Sequence, residues 1–207
     1  MRARTLVVVL GLLLLPVSRA YATPFTNGSF ESASVNPGAG FATLGVGSTV
    51  ITGWEVVTAS IDYIGTFWQA ADGNRSIDLN GNQGPAGIRQ TFDTVFDTTY
   101  IVSFAMAGNP DGPPPVKFVQ VASGAFSQVF SFSTVGATRG DMNWVYYTFA
   151  FEAASTSSTL TFQSLTGGAF YGPAIDDVTV TAPEPVTLAL LGTGMIGVGI
   201  RRRFLGA

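Results

Sequence analysis

Two kinds of side chain in this sequence could do chemistry: carboxylates set among apolar residues, and aromatics set beside polar ones. Glu31 directly follows Phe30 in what reads as the first strand, and Asp176 lies in the run Ile175-Asp176-Asp177-Val178-Thr179-Val180. Alternate residues of a strand share a face, which puts Asp176 with Val178 and Val180, towards a core. An unpaired buried charge is very costly, and no Arg or Lys stands near either acid in sequence. Both therefore need a partner. Asp62, Asp72 and Asp78, with Glu55, form a second set that could serve as paired carboxylates for glycoside hydrolysis. Asp72 stands beside Gly73, where Asp makes turns, and Asp78 alternates away from Ile77 and Leu79 towards solvent. No catalytic motif frames these acids, so no catalytic residue and no enzyme activity is expected.

The aromatics suggest binding. A sugar ring stacks its C–H face on a flat side chain and needs polar neighbours for its hydroxyls; Trp and Tyr offer a large apolar surface with a polar handle. Trp144 and Tyr146 alternate with Val145, Tyr147 and Phe149, and so occupy the opposite face of that run. Trp54 and Trp68 stand beside polar loops. Trp54, Trp68, Trp144 and Tyr146 are the candidate ligand-binding residues; the competing reading is that they fill or plug a core.

Composition removes other chemistries. The 207 residues contain no Cys and no His. That excludes disulfides, thiol nucleophiles, Ser-His-Asp triads and imidazole-bound metals. Between residues 23 and 182 there are 12 acidic and 4 basic residues, a net charge of −8. Such a surface repels phosphate backbones, so no nucleic-acid partner is expected.

The ends set the compartment. Residues 1–22 read as a signal peptide: Arg2 and Arg4, an apolar run over 6–17, then Ala20-Tyr21-Ala22 as a cleavage site. At the other end, Pro183, Glu184 and Pro185 precede an apolar run over 186–200, followed by Arg201, Arg202 and Arg203. Fifteen apolar residues make a marginal span against the roughly 20 a stable one needs. The arginines would hold this end in the cytoplasm. The order of these parts, residues 183–207, resembles a PEP-CTERM sorting signal. The resemblance implies an exosortase-type membrane protease as partner, a transient stay in the inner membrane, and a Gram-negative bacterium that makes exopolysaccharide.

Between the ends, the strand signal runs throughout. In Tyr100-Ile101-Val102-Ser103-Phe104-Ala105-Met106, and again in Thr159-Leu160-Thr161-Phe162-Gln163, large apolar groups recur at every second position. That period predicts strands with one face buried. Further strands are predicted at 54–58, 61–64, 75–79, 87–92, 117–122, 126–133 and 174–181. Asp72-Gly73-Asn74, Asn80-Gly81-Asn82 and Gly167-Gly168 mark turns between them. The segment 32–49 reads as an irregular connection. About ten strands without helical periodicity predict an all-β jelly-roll sandwich, flanked by an N-terminal signal helix and a short hydrophobic C-terminal helix.

Several segments carry a resemblance. They are Asn27-Gly28-Ser29-Phe30-Glu31, Ile61-Asp62-Tyr63-Ile64, Trp68-Gln69-Ala70-Ala71-Asp72-Gly73, Ser76-Ile77-Asp78-Leu79-Asn80-Gly81, Ala107-Gly108-Asn109-Pro110 and Ile175-Asp176-Asp177-Val178. In this order, over nearly all of 23–182, they resemble the choice-of-anchor C family of exported bacterial domains. The resemblance implies a galactose-binding-like jelly roll and no known reaction. Similar carbohydrate-binding jelly rolls hold a structural calcium between their first and last segments. This implies calcium ligation by Glu31 and Asp176, with carbonyls near residues 27–29, an all-oxygen set that suits a hard cation. The alternative is that both acids cap loop N–H groups. The function expected is a non-catalytic surface or matrix module that binds extracellular polysaccharide; the alternative is a structural matrix protein acting by protein–protein contacts.

Overall fold

The structure is a computed structural model and describes residues 23–182. The signal peptide expected at 1–22 and the sorting tail at 183–207, with the helix expected in each, lie outside the described residues. Among the described residues every regular element is a strand, and no helix is long and apolar enough to cross a membrane.

Thirteen strands follow in order: β1 Phe41–Leu44, β2 Glu55–Val57, β3 Ile61–Ile64, β4 Ser76–Asp78, β5 Asn80–Gly81, β6 Gly84–Pro85 and β7 Gly87–Asp93. Then come β8 Thr99–Gly108, β9 Val116–Ser123, β10 Phe126–Ser133, β11 Val145–Glu152, β12 Ser157–Ser164 and β13 Pro173–Thr181. One sheet has the order β1-β3-β4-β13-β8-β11, the other β10-β9-β12-β7-β2, and β5-β6 form a small hairpin. All pairings are antiparallel. This is the two-layer β-sandwich that the alternation predicts.

The core lies between the two sheets. Ile61, Tyr63, Ile77, Phe104, Met106 and Ile175 face inwards from the first; Val56, Ile88, Val119, Val121, Leu160 and Phe162 meet them from the second. The ring of Phe104 packs edge-on against Phe162 at 5.1 Å and against Phe130 at 5.2 Å. Every strand finds its partners within this span, so residues 23–182 form a folding unit with their own core.

Three local expectations change. The segment 32–49 is not wholly irregular: it contains β1, an edge strand paired with β3. Its residues alternate only between exposed and half-buried, so it carries little apolar signal. The first segment, 27–31, is a turn rather than a strand: Asn27 and Phe30 have φ of 54° and 60°, and the Phe30 N–H donates to Asn27 O. Asp176 does not share a face with Val178 and Val180. The pairing of β13 with β8 shifts between Asp176 and Thr179, and Asp177 has φ 44°. A β-bulge inserts one residue and resets the alternation. Asp176 therefore sits opposite Ala105 while Val180 sits opposite Val102. It faces the outer side of the six-stranded sheet, beneath the loop at 65–75.

Candidate functional site

The outer side of that sheet carries two groups of acid, with Asp62, Asp78 and Asp176 buried and Glu31 exposed. The first is made by β3 and β4. Ile61 and Tyr63 enter the core, so alternation turns Asp62 and Ile64 to the outer side. Ile77 likewise enters the core and turns Asp78 outwards. In the register, Asp62 and Asp78 are direct cross-strand partners. Like charges directly opposite one another destabilise a sheet, yet Asp62 is only 5% and Asp78 only 1% exposed. The expectation that Asp78 reaches solvent fails, because the loops at 109–111 and 170–172 close over it.

Asp78 is tied down by those loops. Its Oδ1 accepts the N–H of Asn80 at 2.9 Å and of Gly172 at 3.0 Å, and its Oδ2 accepts Asn109 Nδ2 at 2.8 Å. A side chain at Gly172 would collide with Asp78 Oδ1 and the Asn80 backbone, so this close approach requires glycine. Asp62 is tied by one bond only: its Oδ1 accepts the Thr43 hydroxyl at 2.6 Å. Among the described residues no donor meets its Oδ2. Burial pushes Asp78 up to about 7, against its three hydrogen bonds, and the neighbouring Asp62 charge adds to the rise. Burial also raises Asp62, and the Thr43 bond opposes it.

Both acids line a cleft of about 250 Å³. Phe41, Phe67, Phe170 and Tyr171 supply its aromatic walls, with Trp68 and Ile64 below. Phe41 and Phe170 are half exposed, at 49% and 52%. Phe170 has φ 73°, a left-handed conformation that a bulky residue adopts only under strain, of the kind stored at functional sites. At the rim, Arg139 bonds Asp111, Nε to both carboxylate oxygens at 3.0 Å, and lies 3.9 Å over the Phe67 ring. Lys117 reaches the region from the other sheet. Its Nζ donates to Gly112 O at 2.9 Å and Tyr171 O at 2.7 Å, joining the two loops that cover Asp78. Burial lowers its pKa, while the Asp78 charge raises it.

The second group is Asp176 with Glu31. Asp176 Oδ2 accepts the N–H of Ala71 at 2.7 Å and of Asp72 at 3.1 Å; Oδ1 accepts that of Asp177 at 2.7 Å. Glu31 Oε1 accepts the N–H of Asn74 at 2.6 Å. The two acids thus cap one loop, 71–74, from two sides. Burial pushes Asp176 up to about 7, against those backbone bonds. Of the carbonyls expected as ligands, Asn27 O accepts from Phe30 N and Trp54 Nε1, and Gly28 O accepts from Val178 N. Among the described residues no group of three or more acids is gathered around a metal position. Asp176 Oδ1 has one donor, and Glu31 Oε2 has none among the described residues, so each acid retains an oxygen that a hard cation could share.

The four aromatics expected at a ligand separate. Trp54 is a core residue, 2% exposed, tilted against Phe30 at 5.2 Å and edge-on to Phe25 at 5.7 Å; it has no face to offer. Trp68 is a buried residue of the 65–75 loop, its Nε1 bonded to Ser76 Oγ at 2.8 Å, and borders the cleft. Trp144 donates to Gln69 O, and exposed Tyr146 donates to Asp177 Oδ2 at 2.8 Å. These two do lie on the outer side, as alternation requires, but outside the cleft. The Asp177 carboxylate pushes the Tyr146 hydroxyl up to about 12. Of the second acid set, Asp62 and Asp78 come together. Asp72 stays in its loop, and Glu55 pairs with Arg89 at 2.9 Å on the opposite sheet. The sequence reading missed Phe41, Phe67, Phe170, Tyr171 and Asn109. The available signal was the acid in Ile61-Asp62-Tyr63-Ile64, which stands in an otherwise apolar strand.

An all-β sandwich with a walled, acid-floored cleft on one outer face is the class of protein that fold and site define. Residues 23–181 match the family described as "Protein of unknown function (DUF642)", and the chain belongs to it. Residues 181–203 match the PEP-CTERM protein-sorting motif. Halomucin of Haloquadratum walsbyi is 31% identical over 168 residues, which cover 79% of this chain and 2% of that relative. Among solved structures, the chain is similar to TmCBM61 in complex with beta-1,4-galactotriose, at 18% identity, 78% of this chain and 99% of that one, with a TM-score of 0.46. It is also similar to CBM35 from Paenibacillus barcinonensis, at 19% identity, 69% and 99% coverage, and a TM-score of 0.43.

Proposed function

We propose that this chain is an exported, non-catalytic glycan-binding module. It is sorted by an exosortase-type protease acting on the PEP-CTERM motif and serves at the surface or in the matrix of a Gram-negative cell. The naming within the choice-of-anchor C group belongs to the same proposal. The observation that carries it is the cleft. Half-exposed aromatics stand over hydrogen-bonding acids and an amide, the pairing that a sugar's apolar face and hydroxyls require. Binding is favoured over hydrolysis because Asp62 and Asp78 rise side by side from one sheet face. A glycosidase needs its two carboxyls to flank the scissile bond.

A structural calcium shared by Glu31 and Asp176 is a separate proposal, supported by their convergence on one loop and by the oxygens they retain.

Affinity electrophoresis of residues 23–182 through gels cast with galactan, β-glucan, xylan and chitosan tests the reading. At least one polymer should retard the intact domain, and Phe170→Ala should abolish the retardation with the fold unchanged by circular dichroism. Unaltered mobility in every gel, or release of reducing sugar that Asp78→Asn removes, would sink it.

A further inference from the structure

Asp62 is the unexplained group of the cleft. It is about nineteen-twentieths buried, at 5% exposure, and stands directly opposite a second carboxylate. Its single described hydrogen bond uses Oδ1. Oδ2 has no donor among the described residues, while the side chain lines the cleft. Its surroundings give no structural reason for a charge. An alanine or a serine would cover the same strand and relieve the repulsion with Asp78. Asp78 differs, since three hydrogen bonds make it the anchor of two loops.

The charges around the cleft sum to an excess of acid. Asp111 and Arg139 cancel each other at the rim. Lys117 stands behind Asp78 with its ammonium directed to the carbonyls of Gly112 and Tyr171. Among the described residues, Asp62 is left as the cleft carboxylate without a counter-charge in contact. The walls suit a cation as well: the Phe67 ring already carries the Arg139 guanidinium at 3.9 Å, and an aromatic face attracts positive charge. A neutral ligand filling this space would bury the Asp62 charge further and supply only hydroxyl donors. An ammonium group would neutralise the charge and bond Oδ2 at once, and charge-assisted bonds of this kind are about twice as strong as neutral ones.

Resting on the glycan-binding reading above, we propose that the cleft selects a sugar residue carrying a free ammonium group, an amino sugar lacking its acetyl. Asp62 receives the ammonium, and Phe41 and Phe170 hold the ring.

The test is isothermal titration of residues 23–182 at pH 6 with glucosamine tetramer, with its fully N-acetylated counterpart and with a neutral galactose tetramer. The glucosamine tetramer should bind at least about tenfold more tightly than the acetylated one, the difference a charged hydrogen bond supplies. Asp62→Asn should erase that preference. Asp97→Asn, which removes a charge at the distant β7–β8 turn, should retain it, separating the cleft from general attraction to an acidic surface. Equal affinity for the two glucosamine forms, or a preference that survives Asp62→Asn, overturns the ammonium assignment and leaves glycan binding standing. Absence of heat with all three sugars, together with free mobility in the gels above, removes both.

Discussion

Asp62 and Asp176 lie on the same face of one sheet, both almost wholly buried, and both are raised by that burial. Their hydrogen bonds separate them. Asp176 receives three backbone N–H groups and closes the 71–74 loop over the bulge in β13. Asp62 receives one hydroxyl and turns its other oxygen to a cleft. A buried acid that answers nearby backbone donors is architecture. A buried acid facing another carboxylate and open space lowers stability, and proteins keep such residues where a ligand repays them.

The sharpest way to break this comparison is to delete the two acids in turn. Asp176→Ala leaves three N–H groups without an acceptor, each worth roughly 1 kcal/mol or more when buried. A loss of about 3 kcal/mol, or about 10 °C in melting midpoint, is expected. Calcium and chelator scans of the intact domain and of this variant read the metal proposal in the same experiment. A calcium-dependent rise in midpoint that Asp176→Ala and Glu31→Ala both abolish supports it; identical midpoints with calcium and chelator remove it.

The next effect is on pH. Asp78 and Asp176 both hold folded values of about 7 against an ordinary 3.8. The folded state therefore binds more protons than the unfolded chain between those values. Their contribution to stability is fully present below about pH 4 and is lost as pH rises through about 7. Urea midpoints should fall between pH 6 and pH 7 by the equivalent of about 2 kcal/mol, and the fall should be smaller in Asp176→Asn. A midpoint that climbs over this range would contradict the burial argument.

The smallest effect carries the most information about role. Asp62→Asn keeps an acceptor for the Thr43 hydroxyl and removes the repulsion with Asp78. Denaturant unfolding at pH 7 should find it unchanged, or more stable by up to about 1 kcal/mol. A large loss of stability would make Asp62 a second Asp176 and end the distinction between the two regions.

Much of the sandwich was legible because a half-buried strand writes its burial into the chain at period two. That signal located β3, β7, β8, β12 and most of the others. It failed at β1, where no residue is fully buried. Lys117 shows a signal that was present and unread: it shares parity with Val119 and Val121, so alternation already sends it inwards. The aromatic expectation failed at Trp54 for a related reason. Side-chain type does not distinguish a platform from a core filler, and only burial does.

By itself, the sequence determined the strand periodicity, the absence of thiol and imidazole chemistry, the acidic charge and the sorting motif. Each of these is local or compositional. Tertiary structure alone decided that Asp62 meets Asp78, that a bulge carries Asp176 to the outer face, and that Lys117 crosses from the other sheet to hold the cleft loops. Register, bulges and contacts between sheets arise from pairings between residues tens of positions apart. No short window of sequence contains both partners.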